Sequence, residues 1–376
     1  MKKYSLFFLF IVFFASISAQ NTTKYFRRFY IDPRQYQLRT EIPISFESSR
    51  LTYAYRVEYD KNNRIIDVRY LLRGRQNIDV SGFSGMIINY LDSIEKRFYV
   101  NNFNKPIKNR GIYADCLVFN KEKHPIQLIN YNSTNSIMKD IDGVAKYIWK
   151  LNDKGWIISE KFLDENDKPI YNKKGFFEEK YIWSNDDLNY YIRFEYYNDK
   201  GKLVKNQNGI SAREVTFDKK TESLQKIINY DDANNLAINN NGFATSDFSY
   251  DKNGNRTAQF FYNKKNVLSI NNKGLAIVKW DYDSIGNNTE TAYYDVNKKL
   301  TSYNKTGVAR IVNKFDNIGR LIEVRTYDKD NRLKENKKRE AIVRWVYDEN
   351  GKLITIKGYD ANDRWSTERY KAKAKE

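Results

Sequence analysis

One unit of 32 or 33 residues, written three times between Gly274 and Trp365, constrains this chain more than any other feature. It reads Gly274, Ala276, Trp280, Tyr282-Asp283, Gly286, Tyr294-Asp295, Leu300. It returns as Gly307, Ala309, Phe315-Asp316, Gly319, Tyr327-Asp328, Leu333, and then as Ala341, Trp345, Tyr347-Asp348, Gly351, Tyr359-Asp360, Trp365. The same period extends upstream. One aromatic position recurs at Tyr99, Tyr131, Leu163, Tyr197, Tyr230, Tyr262, Tyr294, Tyr327 and Tyr359, at intervals of 32 to 34. A second recurs at Phe119, Leu151, Trp183, Phe217, Tyr250, Tyr282, Phe315 and Tyr347, and glycine at 111, 143, 175, 209, 242, 274 and 307. Several positions keeping one period over more than 200 residues mark a stacked array, because a unit this small cannot bury an apolar face alone.

Within a unit, residues after the glycine alternate. Ala276, Val278, Trp280 and Tyr282 share one side, as do Ala341, Val343, Trp345 and Tyr347. Period-two alternation of aromatic and β-branched residues indicates a half-buried strand. Asp-x-x-Gly follows at 251–254, 283–286, 316–319 and 348–351. Asp accepts local backbone hydrogen bonds and Gly takes positive φ freely, so each site reads as a hairpin turn with a glycine bulge. A second strand and second turn follow, and a short third strand is expected to start at Leu300 or Leu333. The alanines at 244, 276, 309 and 341 are expected where neighbouring chains come close. Helical periodicity is nowhere sustained.

Composition agrees with a thin, high-surface fold. Mean hydropathy is −0.76, yet aromatics reach 15%, with 30 Tyr and 22 Phe. That aromatic load excludes a disordered chain, and five prolines exclude collagen-like and proline-rich classes. The formal charge is +18 and spread along the length. Solubility is the expected consequence; affinity for an anionic polymer is the alternative. A single cysteine, Cys116, excludes an intrachain disulfide and is expected as a buried thiol.

Residues 1–19 read as a signal peptide: Lys2-Lys3, an apolar run from Leu6 to Phe14, then Ala15, Ser16, Ser18 and Ala19. The run is shorter than the roughly 20 residues needed to span a bilayer, and no second membrane candidate follows. Residues 20–81 are expected to form an N-terminal cap with a degenerate first unit around Tyr59-Asp60. Residues 82–366 form the repeats, and 367–376 a charged tail.

The best-kept turns are Tyr282-Asp283-Ser284-Ile285-Gly286, Phe315-Asp316-Asn317-Ile318-Gly319 and Tyr347-Asp348-Glu349-Asn350-Gly351. Their pattern resembles the YD repeat of Rhs-type proteins. The resemblance covers roughly residues 82 to 365 and is weaker before 240. It implies a bacterial, exported or surface-associated protein of β-hairpins wound into sheets or shells. The unit here is longer than the usual Rhs unit, and no core-end autocleavage signature or toxin domain is seen. Toxin delivery and proteolysis are therefore not carried over.

Chemistry is sparse. His124 is the only histidine and falls at a turn, so it is expected to be solvated. A Cys/His zinc site is excluded by count. Asp251, Asn253, Asp328 and Asp330 are explained by turns; calcium at these loops is the alternative. The tryptophans 149, 156, 183, 280, 345 and 365 are expected mainly in the shared core, with sugar stacking as the sharper alternative. No catalytic, cofactor-binding or metal-ligating residue is nominated, and no cofactor is expected.

The resulting expectation is an all-β, elongated array, either open and solenoid-like or a curled meander sheet, of about nine 32–34-residue β-hairpin repeats with an N-terminal cap. The leading function is an exported, non-enzymatic protein presenting a binding surface for an envelope or host glycan or a partner protein. A secreted carbohydrate-active enzyme using two carboxylates and a structural factor of the cell envelope are the alternatives. Departures from the pattern, around Cys116 and His124 and before Val80, are left without a structural duty.

Overall fold

The computed structural model describes residues 21–79, 82–185, 189–349 and 353–371. The signal-peptide segment, the Asn350-Gly351 end of the last Asp-x-x-Gly turn and residues 372–376 lie outside the described residues. Among the described residues, twenty-four strands form one antiparallel sheet, with a single helical turn at Phe46–Ser49. From Tyr53 onward the sheet is a meander, each main strand pairing with the one before and the one after. Its first edge is Gln37–Ile44 and its last is Trp365–Lys371. No pairing joins these edges among the described residues, so the sheet is open.

The unit from Asn271 to Lys299 carries three turns of one chemistry. At Asp283 the carboxylate Oδ1 accepts the N–H of Ile285 at 3.1 Å and of Asn287 at 2.8 Å. The backbone closes with Gly286 N–H donating to Asp283 O at 3.1 Å. The second turn repeats this at Asp295, whose Oδ1 accepts from Asn297 and Lys299. The third repeats it at Asn271, whose Oδ1 accepts from Lys273 and Leu275. The periodic Gly274 is the fourth residue of this third turn, at φ +85°. An ideal Cβ there would lie 2.2 Å from Asn304 Oδ1, in the third turn of the next unit. Glycine at this place thus serves both a left-handed backbone and close stacking.

The expected third strand reduces to a single bridge, as at Tyr294–Leu300 and Tyr327–Leu333. Only two or three residues separate that bridge from the third turn, too few for a ladder. Third turns stack instead: Asn272 N–H donates to Asn241 O at 3.0 Å and Asn304 N–H to Lys273 O at 3.0 Å. The alanines follow these turns and are fully buried, with Ala276 O accepting from Phe261 N–H and Ala309 O from Tyr293 N–H. The tyrosine of the Tyr-Asp pair has its own duty. Tyr282 donates its hydroxyl to Arg256 O, Tyr250 to Leu224 O and Tyr347 to Leu321 O, each one unit back. At the other end, Thr367–Lys371, expected within a charged tail, run as part of the last strand because they pair with Thr355–Gly358.

The sheet curls around its own beginning. The hairpin of Thr22–Asp32 and Gln37–Ile44 joins the sheet through Thr22–Phe26, which pair with Tyr55–Tyr59. Its tip and flank then meet turns far along the chain. Tyr36 O accepts from Arg97 Nη2 at 2.9 Å, and Arg34 O from Ile157 N–H at 2.8 Å. The Tyr30 hydroxyl donates to Glu222. Arg28 Nη2 donates to Gly254 O at 3.2 Å, and Arg27 Nη2 to Ile285 O at 3.3 Å. Beyond the hairpin, Leu51 O packs against Gly319. Successive first turns are therefore met in order from the hairpin tip towards its base.

Candidate polar cavity

Packing differs along the array. One core cluster gathers Phe26, Val57, Val68, Met86 and Ile112; a second gathers Leu128, Trp149, Phe162, Phe176 and Ile210. Beyond Phe243 the third cluster is small, built on Phe243, Phe261, Leu275 and Val278. Within the early units the curled sheet encloses a polar cavity of about 230 Å³. Its walls mix the rings of Tyr36, Tyr147, Phe162 and Tyr181 with the carboxylates of Asp115, Asp140, Asp142, Glu160 and Glu179.

The strands place these groups by ordinary alternation. Glu160 and Glu179 are directly opposed across the strands Ile157–Leu163 and Glu178–Asn185. Trp149 Nε1–H donates to Glu160 at 2.7 Å, and the Tyr181 hydroxyl donates to Glu179 at 3.3 Å. Burial pushes Glu160 up to about 7, against hydrogen bonding from Trp149 and the positive charge of Lys174. Burial together with the neighbouring Glu160 charge pushes Glu179 up to about 8. Both retain surface open to the cavity although protein surrounds them.

Asp115 is 2% exposed, and burial raises its pKa although Arg97 opposes this. Its Oδ2 accepts the Tyr99 hydroxyl at 2.6 Å. Its Oδ1 has no hydrogen-bond partner, and its nearest cation is Arg97 Nε at 4.0 Å. Arg97 is itself turned to Glu95 at 2.6 Å. Asp140 heads a third turn, accepting from Asp142 N–H and Val144 N–H, and also takes the Tyr147 hydroxyl. Asp142 carries two cations, Arg110 at 2.9 Å and Lys174 at 2.7 Å. The Arg110 and Lys174 side chains are 58% and 39% exposed and mark the mouth.

The residues singled out in the sequence lie elsewhere. Cys116 is buried beside Asp115 in sequence but lies outside the cavity lining, and burial raises its thiol pKa. His124 is half-buried, not solvated, because its ring lies over Gly155 in the next first turn. Asp251 and Asp328 spend their Oδ1 atoms on turn N–H groups. No cluster of three or more His, Cys, Asp or Glu suited to a metal occurs among the described residues. Trp149 is core, Trp280 packs on the third cluster, and Trp365 is 67% exposed.

A register signal for the cavity was present in the sequence. Four residues before the first-strand aromatic, the late units carry Val278, Ile311 and Val343. The early units carry Asp115, Tyr147 and Glu179 at that position. Three residues before the second-strand aromatic, Val324 and Ile356 stand where an early unit has Glu160. Acids at inward apolar positions of a repeat mark a place where the core has been given other work.

No protein-family profile matches the chain. A search of curated proteins also finds no match. Among solved structures, a TcdB2-TccC3-Cdc42 crystal structure is similar at 13% identity and TM-score 0.21, covering 82% of this chain and 20% of that one. A Photorhabdus luminescens Tc holotoxin pore is similar at 12% and 0.20, covering 86% and 20%. A eukaryotic initiation factor gives 12% and 0.19, covering 94% and 96%. The chain thus spans about one fifth of the two toxin-complex chains. Overlap at these scores does not bear on function. Among the described residues no helix is long and apolar enough to cross a membrane.

Proposed function

We propose that this chain is an exported repeat protein that binds a small hydroxyl-rich ligand of the sugar class in the cavity of the early units. The observation that carries this reading is the convergence of carboxylates and tyrosine hydroxyls on one aromatic-walled space. Sugars present hydroxyl donors around an edge and C–H groups on a face, and a few placed polar groups among rings suit both. Export is supported by the Lys2-Lys3 start, the Leu6–Phe14 run and the small residues ending at Ala19. It is supported too by the resemblance of the turns to YD repeats. The regular units serve as scaffold in this reading, because their Gly, Asp and Tyr residues are occupied by turns and inter-unit bonds.

A second reading, a carbohydrate-active enzyme, is favoured by one observation. Glu160 and Glu179 hold their protons near neutral pH, as a general acid must. Incubating the purified protein with a panel of bacterial and plant polysaccharides separates the two. Retention on an insoluble polysaccharide without soluble products supports binding. Release of products that stops in Glu160→Gln supports the enzyme. Neither retention nor release would sink both.

A further inference from the structure

The cavity's acidic and basic side chains do not pair off. Its lining holds five carboxylates but only two cations, Arg110 and Lys174. Both cations are spent on the same carboxylate, Asp142. Glu160, Glu179 and Asp140 receive only neutral side-chain donors, from Trp149, Tyr181 and Tyr147. Asp115, almost fully buried, leaves Oδ1 without a hydrogen bond. Arg97 stands behind it at 4.0 Å and is shared with Glu95. Carboxyl groups thus outnumber cations inside a space walled by tyrosine and phenylalanine rings, and without a cation beside them Glu160 and Glu179 keep protons near neutral pH.

We propose that the ligand carries a protonated primary amine, an amino sugar with a free ammonium group being the class that satisfies both the acidic surplus and the aromatic walls. This rests on the sugar-binding reading given above. An ammonium brings three N–H donors and one positive charge. It answers the opposed Glu160–Glu179 pair and adds a second cation near Asp115, which has only Arg97 at 4.0 Å, and the rings around it favour a cation over their faces. The volume of about 230 Å³ suits one sugar ring, free or at the end of a chain.

A proton linkage follows. Without ligand, burial holds Glu160 near 7 and Glu179 near 8. An ammonium beside them favours their charged forms, so binding expels protons. Asp115, whose pKa burial also raises, would add to the release in the same direction. Burial pushes the Tyr36, Tyr99, Tyr147 and Tyr181 hydroxyls above their ordinary range, and Arg110 and Lys174 stay paired with Asp142.

Titration calorimetry of the full chain at neutral pH with glucosamine, N-acetylglucosamine and glucose tests the proposal. Glucosamine should bind at least about tenfold more tightly than either neutral sugar, a gap of about 1.4 kcal/mol. Equal affinity for all three, or preference for a neutral sugar, overturns the ammonium and leaves the sugar-binding reading standing. Absence of binding by all three overturns both. Repeating the glucosamine titration in buffers of different ionisation heat should show net proton release; proton uptake overturns the proposal without any variant. Glu179→Gln should weaken glucosamine binding severalfold and reduce the released protons, with Glu160→Gln as the substitute if that variant does not fold. Unchanged affinity and unchanged proton release in a folded variant would contradict the assignment.

Discussion

The units before and after about residue 240 share one turn chemistry and differ in what they enclose. From Phe243 to Ile342 the buried positions include Phe261, Ala276, Val278 and Ala309, and the core cluster they build is small. Their buried acids are paired or hydrogen-bonded: Glu340 is 2% exposed and takes the side chains of Asn336 and Thr367. Glu323 accepts from Arg325 and Arg344, both at 2.8 Å. Burial opposes its charge, but those bonds and the cations hold its pKa down to about 2. The early units carry carboxylates inside, where burial pushes Glu160 and Glu179 up. One residue type thus faces opposite electrostatics in two parts of one sheet. The lesson is that repetition marks scaffold, and acids that replace apolar repeat positions mark the candidate site.

Removing residues 22–44 should break the comparison most severely. This hairpin supplies Phe26 to the first core cluster and bonds to both regions, through Arg97 and Ile157 early and Gly254 and Ile285 late. The expected outcome is loss of cooperative unfolding in the early units, read by thermal melts and hydrogen exchange. An unchanged melt would show that the hairpin is an ornament on an independent array.

Gly274→Ala comes next. The added Cβ meets Asn304 Oδ1 and the residue keeps φ +85°, so a loss of about 1–3 kcal/mol is expected in denaturant unfolding. The damage should be confined to neighbouring late units, leaving cavity ligand binding intact.

Tyr282→Phe removes the 2.9 Å bond to Arg256 O, at a cost of about 1 kcal/mol. The chain itself has phenylalanine at three equivalent places, Phe119, Phe217 and Phe315, so the fold should survive. A loss several times larger would mean that the tyrosine does more than join two units.

A pH profile separates the regions. Glu160 and Glu179 have folded pKa values raised above the ordinary 4.5. Their contribution is fully present below the unfolded value and is lost as pH rises through about 7 and 8. Glu323 has a lowered value, so its contribution is present above 4.5 and is lost as pH falls towards about 2. Glu179→Gln should flatten the alkaline side of a stability–pH profile and leave the acid side alone. Glu323→Gln should do the reverse.

Much of this was legible in the sequence. Strand phase, the first two turns and the all-β sheet follow from the spacing of Tyr-Asp pairs and glycines, because local chemistry alone dictates them. The third turn was hidden because Gly274 opens a strand-like alternation and Asn271 carries no aromatic partner to flag it. The curl was hidden for another reason. Arg27 and Arg28 bond to backbone carbonyls of distant turns, and a carbonyl leaves no mark in a sequence. The cavity was half visible: Asp115, Glu160 and Glu179 occupy positions that late units fill with valine or isoleucine. Alternation is enough to put them on one face, but their enclosure depends on the curl.

Hydrogen-exchange mass spectrometry of the full chain, with and without saturating glucosamine, tests the division between scaffold and site most directly. The account predicts added protection in the strands carrying Asp115, Glu160 and Glu179, and none from Ala244 to Ile342. Protection centred on the regular units, or none anywhere at saturation, would contradict it.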